Sequence, residues 1–248
     1  MLEFHHLNLR VGGVPLLDDL DFTLQAHSFT ALIGKNGCGK STLVSCINQT
    51  RPYSGQILCN GRDLATLRPR ERAALLSILP QHLTAPHITV EALVALGRSP
   101  YLDLGRRLSP RDREAVARAM DAVGVGPLAG RFVDSLSGGE RQNAYLAMVL
   151  AQDTPLLVLD EPTTYMDADH ESSFLRSLAA LRQREGKTLL VILHSLNQAV
   201  RWADRIAVME AGRIRFEGPT ARCLAEGVIE GAFHVRRYEA DGRIFFEA

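Results

Sequence analysis

The chain has 248 residues, 46% of them apolar and 23% charged, with 28 basic side chains balanced by 28 acidic ones. That length buries a substantial core and the composition is that of a folded globular protein, which excludes the disordered and collagen-like classes. Zero net charge supplies no global positive field for nucleic acid or an anionic bilayer. No apolar run reaches the roughly 20 residues of a membrane-spanning helix, and the opening MLEFHHLNLR lacks a signal-peptide pattern, so a cytoplasmic chain is expected.

In chain order, His5 and His6 come first; neighbours in a strand point to opposite faces, so they read as surface histidines and not as a metal pair. Residues 29–33, 156–159 and 189–193 are short apolar runs without polar alternation, as strands covered on both faces require. Helical patterns over 41–48 and 171–185 lie among them, and this order predicts an α/β fold whose ligands gather at the carboxyl ends of the strands. Residues 86–151 carry mostly helical signals with no convincing strand and read as an inserted helical subdomain. Within them Ser109, Pro110 and Asp112 mark a helix start, and Ala115, Val116, Ala119, Met120 and Val123 form one apolar face. Near the end, 206–209 and 214–216 flank Glu210-Ala211-Gly212-Arg213 as a hairpin, and 243–246 add a final edge strand. Cys38, Cys46, Cys59 and Cys223 lack zinc-ligand spacing and are expected as free thiols.

The segment Gly34-Lys35-Asn36-Gly37-Cys38-Gly39-Lys40-Ser41, followed by Thr42, fits GxxxxGK[ST] between a predicted strand and a predicted helix. Glycines let the backbone N–H groups point inward and the helix adds its positive end, so a nucleoside triphosphate tail can be held. Lys40 is expected at the β- and γ-phosphates and Ser41 on Mg2+. The strand at 156–159 delivers Asp160 and Glu161 at its carboxyl end, where successive strand side chains diverge: Asp160 is expected towards Mg2+ and Glu161 towards the water that attacks the γ-phosphate. Leu136-Ser137-Gly138-Gly139-Glu140 combines capping-box spacing with two glycines at a positive helix end, which makes an anion site.

Leu136 to Glu140 resembles the LSGGQ signature of ABC (ATP-binding cassette) ATPases, and other motifs follow in family order. Gln81 in Leu79-Pro80-Gln81 resembles the Q-loop glutamine, expected to touch Mg2+ and sense the γ-phosphate. Asp167 in Thr163-Thr164-Tyr165-Met166-Asp167 resembles the D-loop aspartate, and His194 the switch histidine. The resemblance implies a phosphate-loop NTPase core with a mostly parallel sheet (1–85 and 152–218), an N-terminal antiparallel β portion, the helical subdomain (86–151) and a C-terminal extension (219–248). It implies a head-to-tail homodimer with ATP held between the phosphate loop of one copy and Ser137, Gly138, Gly139 and Glu140 of the other.

The stretches LSILPQHLTAPHITVEALVALGRSPYL, AYLAMVLAQDTPLLVLDEPTTYMD and HSLNQAVRWADRIAVM resemble importers of ferric citrate, ferric siderophores, haem and cobalamin. Such a subunit sits peripherally on the cytoplasmic face of the cell membrane. It works with two integral permease subunits and a periplasmic or lipoprotein binding protein, and without nucleic acid. Segment 82–104, including Tyr101, Leu102 and Leu104, is the expected docking surface for the permeases. Three positions depart from the pattern: Val11 stands where many relatives stack an aromatic on adenine, Ser195 replaces an Asp beside His194, and Asn143 replaces an Arg. A soluble ABC protein of DNA repair or translation remains an alternative, though such proteins carry coiled coils or two cassettes; an exporter subunit is opposed only by the import-like segments around Gln81 and His194.

Overall fold

The computed structural model describes residues 2–102, 107–164, 166–240 and 242–247. Leu104 and Tyr165 lie outside the described residues. Two compact units are formed, Met1–Leu67 with Thr188–Ala248, and Arg68–Lys187.

The first unit opens with β1 (Leu2–Val11), β2 (Val14–Leu24), β3 (Phe29–Ile33), α1 (Lys40–Ile47), β4 (Ser54–Cys59) and β5 (Arg62–Asp63). Strands β2, β1, β4 and β5 pair in that order as an antiparallel sheet. The buried residues of β1, Leu2, Phe4, Leu7 and Leu9, step by three once, and those of β2 do the same between Leu17 and Leu20. Facing irregularities absorb the step: His6 and Asp19 both take positive φ, 49° and 48°, and return the following side chains to the inner face. A Cβ at Gly55 of β4 would lie 2.3 Å from the His6 carbonyl oxygen, so only glycine fits beside this bulge.

The second unit begins with α2 (Pro69–Leu75) and β6 (Leu76–Leu79), and continues through α3 (Val90–Leu96), α4 (Pro110–Ala122) and α5 (Gly138–Ala151) to β7 (Leu156–Leu159) and α6 (Ala168–Glu185). Strands β6 and β7 run parallel in the register Leu76↔Leu156 to Leu79↔Leu159. Helices α3, α4 and α5 pack on one another. Ser109 caps α4 through a reciprocal box with Asp112, and Ala115, Val116, Ala119 and Met120 are buried as predicted. Val123 ends the helix half-buried, and Val125 takes the core position instead. Buried Arg98 joins three elements: its Nε donates to Asp112 Oδ1 at 2.9 Å, its Nη1 to the Ala151 carbonyl at 2.8 Å, and its guanidinium lies 4.2 Å from the Tyr101 ring centre.

The chain then returns to the first unit with β8 (Thr188–Ile192), α7 (Leu196–Trp202), β9 (Arg205–Glu210), β10 (Arg213–Pro219), α8 (Thr220–Ala225), α9 (Val228–Phe233), β11 (Arg236–Ala240) and β12 (Arg243–Glu247). Strands β10, β9, β3 and β8 are neighbours in that order. β3 lies parallel to both β8 and β9, which explains its five consecutive buried residues. The mixed α/β fold with parallel strands and an N-terminal antiparallel sheet is therefore as expected. Residues 243–246 form the expected final edge strand: β12 pairs with β11 as a separate two-stranded hairpin.

Candidate nucleotide-binding site

In the first unit the phosphate loop joins β3 to α1. Gly39 initiates α1 at φ 111° and ψ 4°, a conformation that side-chain-bearing residues avoid. A Cβ there would lie 2.7 Å from the Leu16 carbonyl oxygen and 2.8 Å from Met209 Cε, while one at Gly34 would lie 2.4 Å from the Met209 carbonyl oxygen. The loop is thus wedged between β2 and the end of β9. The turn between β9 and β10, with Ala211 at φ 46° and Gly212 at φ 79°, completes the support by donating from Gly212 N to the Cys38 carbonyl at 2.9 Å. Lys40 is buried, and its ammonium donates to the carbonyls of Gly34 at 2.7 Å and Lys35 at 3.2 Å. Lys35, Asn36, Gly37 and Ser41 are exposed, Thr42 is half-buried and Cys38 is buried. His194 lies exposed two residues beyond β8.

In the second unit Asp160 and Glu161 are both buried just beyond β7. Asp160 N extends the parallel register by donating to the Leu79 carbonyl at 2.9 Å. Glu161 takes φ 49°, so strand alternation does not set its direction; a left-handed backbone turn does. Gln81, just beyond β6, donates from Nε2 to Glu161 Oε2. Parallel pairing of β6 with β7 brings these two residues together.

The signature residues start α5. Ser137 Oγ accepts from Glu140 N at 3.3 Å and Glu140 Oε2 accepts from Ser137 N at 2.9 Å, which is the reciprocal cap that the spacing predicted. These bonds to Ser137, with Arg131 beside the carboxylate, hold Glu140 below the usual carboxylate range. Asp167 caps α6, accepting from His170 N at 2.9 Å, and its carboxyl is held low first by that backbone bond and then by the His170 ring. The His170 ring reaches back to Gly139, where a Cβ would stand 3.7 Å from its Cδ2. Neither His170 nor Arg131 is marked by any sequence motif.

The model of the family described as "ABC transporter" matches residues 17–164, a span that holds the phosphate loop, Gln81, the signature and the acidic pair. The chain belongs to the ABC transporter family. This ABC chain is 39% identical over 237 residues to the ferric enterobactin transport ATP-binding protein FepC of Escherichia coli, covering 95% of the chain and 88% of that protein. It is 40% identical to the hemin import ATP-binding protein HmuV of Nocardia farcinica, covering 89% of the chain and 77% of that protein. A solved ABC transporter described as metal-chelate type, in an inward-facing conformation, superposes with a TM-score of 0.82 at 25% identity, covering 99% of this chain and 95% of that one. Nucleotide binding follows from the family.

The departures of this ABC chain have local consequences. Val11 pairs with Val14 across the Gly12-Gly13 turn, and both are exposed, at 51% and 60%. Ser195 keeps a capping role, accepting from Gln198 N at 3.3 Å at the start of α7. Nothing in the structure explains Asn143. The four cysteines are free and buried, and no helix among the described residues is long and apolar enough to cross a membrane. Among the described residues one group of ligating side chains lies elsewhere: His6, Asp19 and Asp21 converge at the exposed bulge of β1 and β2. The hydrogen bond that His6 Nδ1 donates to Asp19, then the Asp21 charge, raise the His6 pKa.

Proposed function

We propose that the chain hydrolyses ATP as the paired motor subunit of an importer of iron chelates, such as ferric citrate or a ferric siderophore. The observation that carries the reading is the coexistence in one chain of a complete phosphate cradle and a glycine-rich, capped helix start. These are complementary half-sites for one triphosphate, and two copies related head to tail complete each other. Relatedness to the enterobactin and hemin proteins supports the cargo class. By the same analogy the homodimer serves two permease subunits at the cytoplasmic face of the cell membrane, and a binding protein delivers the chelate.

In this mechanism the loop N–H groups from Gly34 to Thr42 hold the phosphates and Lys40 turns its ammonium from the loop carbonyls to the β- and γ-oxygens. Glu161 orients the attacking water and takes its proton as the bond to the γ-phosphorus forms and the bridging oxygen departs with ADP. Gln81, bonded to Glu161, reports the γ-phosphate; His194 donates to the transferring phosphoryl group, and Asp167 meets the partner copy. Ser41, Asp160 and the Gln81 amide offer oxygen donors only, which suits Mg2+. Bound there, Mg2+ supplies charge neutralisation at the β- and γ-phosphates.

Segment 82–104 is the proposed permease docking surface. Leu96 is 52% exposed and offers an apolar contact, whereas the Tyr101 hydroxyl is engaged with the Gln152 carbonyl at 2.7 Å and Leu102 is half-buried. The test is co-expression with candidate iron-chelate permeases and reconstitution with the loaded binding protein. A stimulated ATPase that Leu96→Asp uncouples supports the reading; a chain that hydrolyses ATP yet neither binds nor responds to such permeases contradicts it.

A further inference from the structure

The segment that follows Gln81 is tied at both ends to the helix that the signature begins. Near its start, the Tyr145 hydroxyl of α5 donates to the Thr84 carbonyl at 3.1 Å. Its single proton is thereby used, so the 2.9 Å contact between the Tyr145 and Thr84 hydroxyls has Thr84 as donor. Tyr145 itself is buried at 8% exposure, eight residues after Ser137 and hence about 12 Å along the helix from the signature.

At its far end, Val133 N donates to the Ile88 carbonyl and Val90 N to the Arg131 carbonyl, both at 2.9 Å, forming a bridge between Thr89 and Phe132. The His87 ring stacks on Phe132 with centres 4.2 Å apart, and its Nδ1 lies 2.8 Å from Asp134 Oδ2. Arg131 then closes the ring: Nη1 donates to Glu140 Oε1 at 3.1 Å and Nη2 to the Ser135 carbonyl at 3.0 Å. Gln81, bonded to Glu161, therefore sits at the entry of a loop latched to the body of α5 by Tyr145 and to its tip through Arg131.

We infer that Tyr145 is a positioning residue that couples Gln81 to the signature of the same subunit, so that the glutamine facing this copy's ATP and the anion site offered to the partner's ATP move as one body. The inference rests on the proposed roles of Gln81 and the signature. The physical basis is that two hydrogen bonds on the hydroxyl of one buried tyrosine hold the loop against a rigid helix, and coupling needs a contiguous element with defined contacts.

The test compares Tyr145→Phe, Thr84→Val, their combination and Gln81→Ala in the full-length protein, with ATPase kinetics and thermal unfolding measured on each. Phenylalanine keeps the ring packing and removes both hydroxyl bonds; valine at Thr84 removes one. The expected result is a kcat lower by about 5- to 150-fold in Tyr145→Phe, the size of two neutral hydrogen bonds, with KM for ATP unchanged because the phosphate loop belongs to the other unit. Thr84→Val is expected to fall less, and the double variant to match Tyr145→Phe, since no bond remains to lose. Adding Tyr145→Phe to Gln81→Ala is expected to lower kcat no further. Parent kcat in Tyr145→Phe, additive losses in the double variant, or a loss confined to thermal stability overturns the coupling role while Gln81→Ala still impairs turnover. Parent turnover in Gln81→Ala overturns the underlying catalytic reading, and the coupling with it.

Discussion

Replacing Gly39 by alanine tests whether the phosphate loop is held by backbone packing. The position combines φ 111° with a wedge in which Cβ would stand 2.7 Å from the Leu16 carbonyl oxygen and 2.8 Å from Met209 Cε. A residue forced into so sparsely populated a backbone region costs about 1–3 kcal/mol, and overpacking a closed space adds about 1–3 kcal/mol. Together these reach about 2–6 kcal/mol, against a total stability of about 5–15 kcal/mol for an ordinary domain. The chain escapes part of that cost by displacing the loop, which misaligns the N–H groups that hold the triphosphate. Gly37→Ala is the internal control: its φ is 79°, yet nothing lies within 4 Å of the added Cβ, so only the conformational cost remains. Urea unfolding and equilibrium binding of fluorescent ATP are the assays. Gly39→Ala should lose stability and nearly all nucleotide affinity, with Gly37→Ala clearly milder. Parent stability and affinity in Gly39→Ala would refute the packing argument.

Lys40→Ala should weaken ATP binding about 10- to 150-fold, the size of a charged hydrogen bond of about 1.5–3 kcal/mol, in a direct binding titration. Val11→Tyr should tighten ATP binding about 2- to 10-fold, because an aromatic partner adds about 0.5–1.5 kcal/mol of ring interaction with the base; a binding titration against the parent measures it. Asp112→Ala leaves Arg98 buried without its carboxylate and should cost about 3–5 kcal/mol in chemical denaturation at neutral pH. The Asp112 carboxyl is held low, first by the Ser109 hydroxyl and also by Arg98. Its folded pKa lies below the unfolded value, so its contribution is complete above the unfolded carboxylate range and lost as pH falls through the folded one. The gap between parent and Asp112→Ala should accordingly narrow in acid.

Much of this architecture is legible in the sequence because its signals are local. The apolar run over 29–33, the glycines of the phosphate loop and the Ser137 and Glu140 spacing each specify their own backbone. The direction of Glu161 is not legible, since it depends on a positive φ at a non-glycine residue just outside β7. The paired bulges at His6 and Asp19 escape as well: His and Asp enter the left-handed region more readily than most side-chain-bearing residues, but only the facing strand shows why both do so here. Tyr145, Arg131 and His170 have no motif, because their partners at Thr84, Glu140 and Gly139 are set by packing across the second unit. The β11 and β12 hairpin was half legible, as strand pattern without its pairing partner.

The central claim, that Glu161 drives hydrolysis in a dimer built from two half-sites, is tested most directly by Glu161→Gln. The amide keeps the shape and an oxygen acceptor for the Gln81 amide but cannot take the proton of water. Turnover should fall about 10²- to 10⁴-fold while ATP affinity persists. In size-exclusion chromatography with ATP, the variant should elute as a stable dimer carrying two unhydrolysed nucleotides. Parent turnover in Glu161→Gln, or an inactive variant that binds ATP only as a monomer, would contradict it.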